Sequence, residues 1–413
     1  MTSRRSMLAG MASLAASAVA GRGQAASQSD SDIPQFRRGI GVSHALGWAE
    51  VAADDSYGEA PFSAPRFRFD AAQRRAIRAA GFDFVRLAVD VGPFLAFQGA
   101  ARDRLDALLI GTVRNLLDAD LGVIVDLHPS AMNPAYRPTA LTAGVDTQKF
   151  RAVLAFQLRL AGLLGLLAED RSLTGMPRLA FELMNEPEVP QPVWQSMLQA
   201  SYKAARMGSA RLPLVLGCGS MNAAAALTAI DMRPFAGDNR LIYTYHDYAP
   251  WQFTHQGVRG SPAHALDAIP YPAPPSAAAM IAATQRRIAN LDLSGAALAE
   301  ARKAKRTLAR YAGFDRAALE RTFREVSAWR IAQRLPAHAI LLGEFGVHRT
   351  PYLDTPEGAA SRETWLRDMR QLAEAHGFAW SAWTYAGTGG FALAENETGP
   401  GFDAVTLRAL GLR

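Results

Sequence analysis

The chain has 413 residues, 49% hydrophobic and 20% charged, the balance of a soluble globular protein. The formal net charge is +6, but the arginines are scattered through helix-like segments and form no basic block interleaved with aromatics, so no nucleic-acid partner is expected. The single cysteine, Cys218, excludes an intramolecular disulfide framework and a cysteine-based zinc site.

In chain order, the first signal is TSRRSMLAGMASLAASAVAGRGQAAS. Arg4 and Arg5 precede an apolar run from Met7 to about Gly21, followed by small residues around Ala25 and Ala26. This predicts an export signal over 1–26 of the twin-arginine type, and hence a periplasmic or extracellular protein with no stable membrane association after signal removal. The run falls short of the ~20 apolar residues that span a bilayer, and no other segment is expected to span one. From residue 27 to 413 a single catalytic domain is expected. Short apolar runs predict strands at 39–43 (GIGVS), 84–89 (FVRLAV), 122–127 (GVIVDL), 179–184 (LAFELM), 212–217 (LPLVLG), 241–245 (LIYTY), 340–344 (ILLGE) and 379–384 (AWSAWT). Helical patterns such as DAAQRRAIRAAG and KFRAVLAFQLRLAGLLGLL lie between them, several stopped by Gly or Asp. Strands apolar on both faces and alternating with helices make an all-parallel sheet covered by helices, and eight of them close a (β/α)₈ barrel. One interval is too long for a single crossover helix. After strand six the chain runs through YAPWQFTHQ, IPYPAPPS and Ala/Arg-rich helices, which predicts a mostly helical elaboration over about 250–335 within the same domain.

A barrel carries its chemistry where the strands end, because the βα loops there form the cleft. Strand two delivers Arg86, strand three His128, and strand four Asn185 and Glu186. Strand six delivers His246, Asp247 and Tyr248, strand seven Glu344, and strand eight Trp383. Glu186 and Glu344 each follow an apolar run. A carboxylate at the end of a buried strand needs a partner or a task. Two carboxylates facing each other across a cleft suit glycosidic bond cleavage: one protonates the leaving oxygen, the other attacks the anomeric carbon or activates water. Arg86 and the histidines can hold one glutamate ionised while burial raises the pKa of the other. Two other readings use the same barrel. One is a metal-dependent hydrolase with His44, His128, His246 and Glu344 as ligands, although strand one offers one His44 rather than a His-x-His pair. The other is an inactive sugar-binding protein, against which both glutamates speak.

Asn185-Glu186-Pro187, His246-Asp247-Tyr248, Gly343-Glu344-Phe345 and Trp383, in this order and spacing, resemble glycoside hydrolase family 5, the retaining barrel enzymes of the cellulase and mannanase type. The resemblance implies Glu186 as acid/base and Glu344 as nucleophile. It implies Asn185 on the sugar 2-hydroxyl, Arg86 and Tyr248 on the nucleophile, His128 and His246 near the sugar or the acid/base, and Trp383 beneath the ring. The expected activity is endo-β-1,4-glucanase-like, with β-mannan or a bacterial exopolysaccharide as alternative substrates. A monomer with no cofactor, no metal and a polysaccharide or oligosaccharide as its partner is expected. The long segment after strand six departs from compact family members, so substrate subsites do not carry over.

Overall fold

The computed structural model describes residues 33–170, 178–387, 389–394 and 400–413; the export signal expected over 1–26 lies outside them. Eight strands, β1 (Arg38–Leu46), β2 (Phe84–Val89), β3 (Gly122–Leu127), β4 (Leu179–Glu182), β5 (Leu214–Leu216), β6 (Leu241–His246), β7 (Ile340–Phe345) and β8 (Ala379–Ala382), close a barrel in sequence order. Every neighbouring pair is parallel, β8 returning to β1. The long helices around it are α1 (Ala71–Ala80), α2 (Gly99–Leu117), α3 (Gln148–Ala168), α4 (Gln191–Gly208), α5 (Ala278–Asn290), α6 (Gly295–Tyr311), α7 (Arg316–Ala332) and α8 (Pro356–Ala375). Local sequence sets their limits. Helix α1 opens on a reciprocal capping box between Asp70 and Gln73 and stops at Gly81, whose φ of 102° suits a residue without Cβ.

The strands read as unbroken apolar runs because both faces are covered, and residues two apart tell the faces apart. Val85, Leu87, Val123, Val125, Phe181 and Leu342 belong to the large core shared with the helices. Phe84, Ile124, Ala180, Val215, Ile242, Leu341 and Ala379 form a separate apolar cluster. It takes one residue from each of seven strands, so it is a layer across the barrel interior. Two residues further along the same faces stand Arg86, Asp126, Glu182 and Thr244, all fully buried. The interior thus changes from apolar to charged within one layer, toward the strand ends that open on the cleft.

Two sequence expectations need correction. Helix α3 is long and apolar enough to cross a membrane by length and composition, contrary to the expectation that no segment beyond the N-terminal run is. Its apolar side, including Phe150, Val153, Phe156, Leu160 and Leu164, is buried in the main core; it is the crossover helix between β3 and β4. The second concerns strand length. Strand β4 ends at Glu182, so Asn185 and Glu186 stand on the loop beyond it. Between β6 and β7, helix α7 packs on α8 at the ring of crossover helices, while α5 and α6 pack on each other and on the 3₁₀ turn Pro262–Ala265.

Candidate active site

Arg86 is the centre of the polar layer. Its Nε and Nη2 donate to both oxygens of Glu182 at 2.7 and 2.8 Å, and Nη1 donates to Glu344 Oε1 at 2.7 Å. Nη2 also donates to Asn185 Oδ1 at 2.8 Å and lies 3.1 Å from Asp126 Oδ2. A fully buried guanidinium thus faces three carboxylates. Burial raises the pKa of Glu182 and pushes Asp126 up to about 7, with Arg86 pulling both down. Removing the one cation from such a network leaves uncompensated buried charge, which costs roughly 3–5 kcal/mol. Arg86→Ala is therefore expected to lower unfolding stability by about that amount, read as a shift in denaturant midpoint. An unchanged midpoint would show that the network contributes nothing to the fold.

Glu344 is held at both oxygens, since the Tyr248 hydroxyl donates to Oε2 at 2.8 Å. Burial and the neighbouring Glu344 raise the Tyr248 pKa, so the phenol remains a donor. Glu186 sits differently. Its backbone is in the left-handed region at φ 41°, an uncommon place for a non-glycine residue, and a quarter of its side chain is open to the cleft. The rest is enclosed, and burial pushes its pKa up to about 7. Carboxyl oxygens of Glu186 and Glu344 lie within 4.8 Å of each other and of a nitrogen of His246.

The tautomers of both histidines follow from the network. The Cys218 amide donates to Asn222 Oδ1 at 2.9 Å, which turns the Asn222 Nδ2 toward His246 Nε2 at 3.2 Å. Nε2 is therefore an acceptor, and His246 donates from Nδ1 to Glu186 Oε1 at 2.7 Å. Burial lowers its pKa to about 4, so the ring is neutral at ordinary pH. His128 repeats the arrangement: Nδ1 donates to Asp126 Oδ2 at 2.8 Å, and Nε2 accepts from Asn185 Nδ2 at 3.3 Å. Asn222 ends three consecutive left-handed residues, Ser220, Met221 and Asn222, with φ of 53°, 60° and 55°. Each costs about 1–2 kcal/mol for a residue with a Cβ. Backbone bonds from Ser220 to Val189 and from Met221 to Pro187 stitch this turn to the loop that carries Glu186.

Trp383 stacks face to face on His128, ring centres 5.3 Å apart. Gly41 makes room for it, since a Cβ there would lie 2.6 Å from the indole. Gly343 does the same for His246, where a Cβ would stand 3.0 Å from Nε2. The cleft is a cavity of about 430 Å³ whose lining includes His128, Asn185, Glu186, His246, Tyr248, Glu344 and Trp383. Of the residues expected at the strand ends all but Asp247 are thus brought together, with Arg86 one layer beneath; Asp247 does not line the cavity and accepts from the Ala249 amide at 2.8 Å. Asp126, Glu182, Asn222 and the lining residues Trp48, His255 and Phe391 were missed. The first two carried a signal, a carboxylate inside an apolar strand; the others come from loops, where no periodicity speaks. Of the ligands in the metal-dependent reading, His44 stands apart, bonded to the Arg68 carbonyl and packed on Phe69 and Tyr385. Among the described residues the one cluster with ligand atoms in mutual reach is Glu186, His246 and Glu344, which includes neither His44 nor His128.

A parallel eight-stranded barrel with two such glutamates at its mouth defines a class of sugar-cleaving barrel enzymes. Residues 65–389 match the family described as Cellulase (glycosyl hydrolase family 5), and the chain belongs to that family. It is a glycoside hydrolase of the cellulase type. Over 226 residues it is 27% identical to Endoglucanase 3 of Fibrobacter succinogenes, covering 53% of this chain but 31% of that protein. Similar solved structures include the cellulose synthase subunit Z of Clostridioides difficile, at 19% identity and TM-score 0.61, covering 91% of this chain and 99% of that one. The endoglucanase Cel5A of Thermotoga maritima is 19% identical with TM-score 0.61, covering 91% and 96%. A xyloglucanase of Bacteroides ovatus is 18% identical with TM-score 0.58, covering 91% and 74%.

Proposed function

We propose that the chain is an exported endo-β-1,4-glucanase acting by double displacement, with Glu344 as nucleophile and Glu186 as acid/base. The observation that carries this reading is the unlike setting of two close carboxyls. Oxygens within 4.8 Å of each other fit the roughly 5–5.5 Å separation of retaining enzymes better than the roughly 6.5–9.5 Å that admits an inverting water. In the first step Glu344 attacks the anomeric carbon while Glu186 gives its proton to the leaving oxygen. In the second, Glu186 takes a proton from water, which releases the sugar from Glu344. Asn185 accepts from Arg86 and donates to His128, so its second N–H is available to a sugar hydroxyl, and Trp383 offers a flat face beside it. Glucan is favoured by the names of the endoglucanase relatives. Thermotoga maritima Cel5A was also solved with mannotriose, so β-mannan belongs in the test. A panel of carboxymethyl cellulose, mixed-linkage glucan, glucomannan and mannan, with products weighed by mass spectrometry, tests the reading. Absence of cleavage across the panel would sink it, and loss of activity in excess EDTA would favour the metal-dependent alternative. Export, suggested by Arg4 and Arg5 ahead of the apolar run, is tested by fractionating producing cells.

The His246 tautomer gives a sharper expectation. With Nδ1 donating to Oε1, the transferable proton of Glu186 is directed to its other oxygen, the one left for the leaving group. Asn222→Asp offers no N–H to Nε2, so the imidazole proton moves to Nε2, and the bare Nδ1 takes the Glu186 proton in a hydrogen bond. General acid assistance contributes about 10²–10⁴-fold, so kcat/KM on unactivated glucan should fall by about 10²-fold. A dinitrophenyl glycoside, which leaves without a proton, should lose much less. Equal losses on both substrates would refute this role.

A further inference from the structure

The first part of the elaboration, up to its proline-rich piece, supplies three aromatic side chains flat enough to carry a sugar ring: Trp251, Phe253 and Tyr271. The fold separates them. Phe253 and Tyr271 are buried against each other, Phe253 also against Trp365, and the Tyr271 hydroxyl donates to Asp368 at 2.9 Å. They anchor the segment to helix α8. Trp251 is 37% exposed and lines a second cavity of about 340 Å³, outside the catalytic cleft, with Ser261, Pro262, Ala263 and the α6 residues Lys303, Ala304 and Thr307. One residue, His255, lines both this cavity and the catalytic one.

We propose that this second cavity is a distal glycan subsite, in which Trp251 stacks under a hexopyranose ring of the same β-linked chain whose scissile bond lies between Glu186 and Glu344. The inference rests on the glycanase reading and names where the rest of the substrate goes. Its chemistry is that of a neutral sugar. A pyranose in a β-linked chain offers apolar C–H faces and a polar hydroxyl edge. The cavity answers with an indole, whose negative face attracts C–H hydrogens, apolar walls at Pro262, Ala263 and Ala304, and a rim of Ser261, Glu300, Lys303 and Thr307. Glu300 and Lys303 stand 3.8 Å apart, so the rim carries no net charge, which suits hydroxyls rather than uronic acids. His255 supplies the junction. The Thr254 hydroxyl donates to the Tyr248 carbonyl at 2.6 Å, so at 3.0 Å it accepts from His255 Nδ1. The ring, kept neutral by burial that lowers its pKa to about 4, leaves Nε2 as an acceptor on the border of both cavities. The ring also packs edge-on against Tyr248, the donor to Glu344. A chain long enough to fill both cavities gains contacts that a short one lacks.

The test is chain-length dependence. With cello-oligosaccharides of three to six units, wild-type kcat/KM should rise with length. In Trp251→Ala the ratio of hexaose to triose kcat/KM should fall about tenfold, mainly through KM, as expected for loss of one stacking partner of roughly 1.4 kcal/mol. Trp251→Phe should keep most of the ratio. Thr307→Trp, which fills the cavity from α6 and gives up the 3.1 Å hydrogen bond that Thr307 Oγ1 accepts from Gln252, should abolish the length advantage as Trp251→Ala does. An unchanged ratio in both Trp251→Ala and Thr307→Trp overturns the subsite while leaving the glycanase intact. A joint fall on both substrates together with a lowered Tm assigns Trp251 to anchoring and overturns it too. A wild-type protein that cleaves none of the oligosaccharides and no polymer fails at the earlier step, the glycanase reading itself.

Discussion

Glu344→Ala should lose turnover on unactivated substrate by on the order of 10⁴-fold or more, as expected when the nucleophile of a covalent route is removed. Folding should survive. Arg86 loses its 2.7 Å bond to Glu344 but keeps both bonds to Glu182 and its contact with Asp126, so no cation is left without a counter-charge. The Tyr248 hydroxyl loses its acceptor, a cost of about 1–3 kcal/mol at most. The space left by the carboxylate opens on the cleft, where azide can enter and attack the anomeric carbon from the same face. Glu186 still protonates the leaving oxygen, so one displacement occurs and the glycosyl azide has inverted configuration. The anomeric coupling of that product by NMR is the measurement. Near-wild-type activity of Glu344→Ala on unactivated glucan, or a retained azide, would remove Glu344 from the nucleophile's role.

How much of this was legible beforehand depends on the kind of signal. The barrel was, because eight runs apolar on both faces alternate with helical patterns, and few folds bury parallel strands on both sides. The site at the strand ends was legible for the same reason: once the strands are placed, Arg86, His128, His246 and Glu344 are fixed to one mouth by the two-residue period. Strand ends were less so. LAFELMNEP reads as strand through Met184, yet β4 stops at Glu182 and the chain turns through a left-handed Glu186. That turn is set by backbone bonds from Leu183 to Val215 and Asn185 to Leu127, which no local propensity reports. Glu182 and Asp126 were visible as carboxylates in apolar strands, but pairing them with Arg86 needed the register of adjacent strands, where Asp126 stands opposite Glu182. Asn222 was beyond reach. It acts from a loop after β5, in a backbone conformation its sequence does not announce, by a hydrogen bond to a histidine 24 residues away.

The pH dependence separates the two glutamates. The Glu186 carboxyl, pushed up to about 7 mainly by burial, is protonated below that pH and ionised above it. Donation to the leaving oxygen needs the protonated form, so kcat/KM on unactivated substrate should fall as pH rises through about 7. The proposed double displacement also requires Glu186 to change role. When Glu344 becomes esterified to the sugar it loses its charge, and with carboxyl oxygens within 4.8 Å the like-charge repulsion on Glu186 is relieved. Its pKa then drops, which readies it as the base for the second step. Glu186→Ala isolates the acid's part. On unactivated glucan this variant should lose about 10²–10⁴-fold. On a dinitrophenyl glycoside it should form the glycosyl-enzyme without help, then stall, because no base draws the proton from water. Azide, which needs no base, should restore turnover and give a product of retained configuration, the outcome of two displacements. With the acid gone, the alkaline limb near 7 should vanish from kcat/KM for that substrate. A limb that persists unchanged in Glu186→Ala would assign the alkaline ionisation to another group and remove Glu186 from the acid's role.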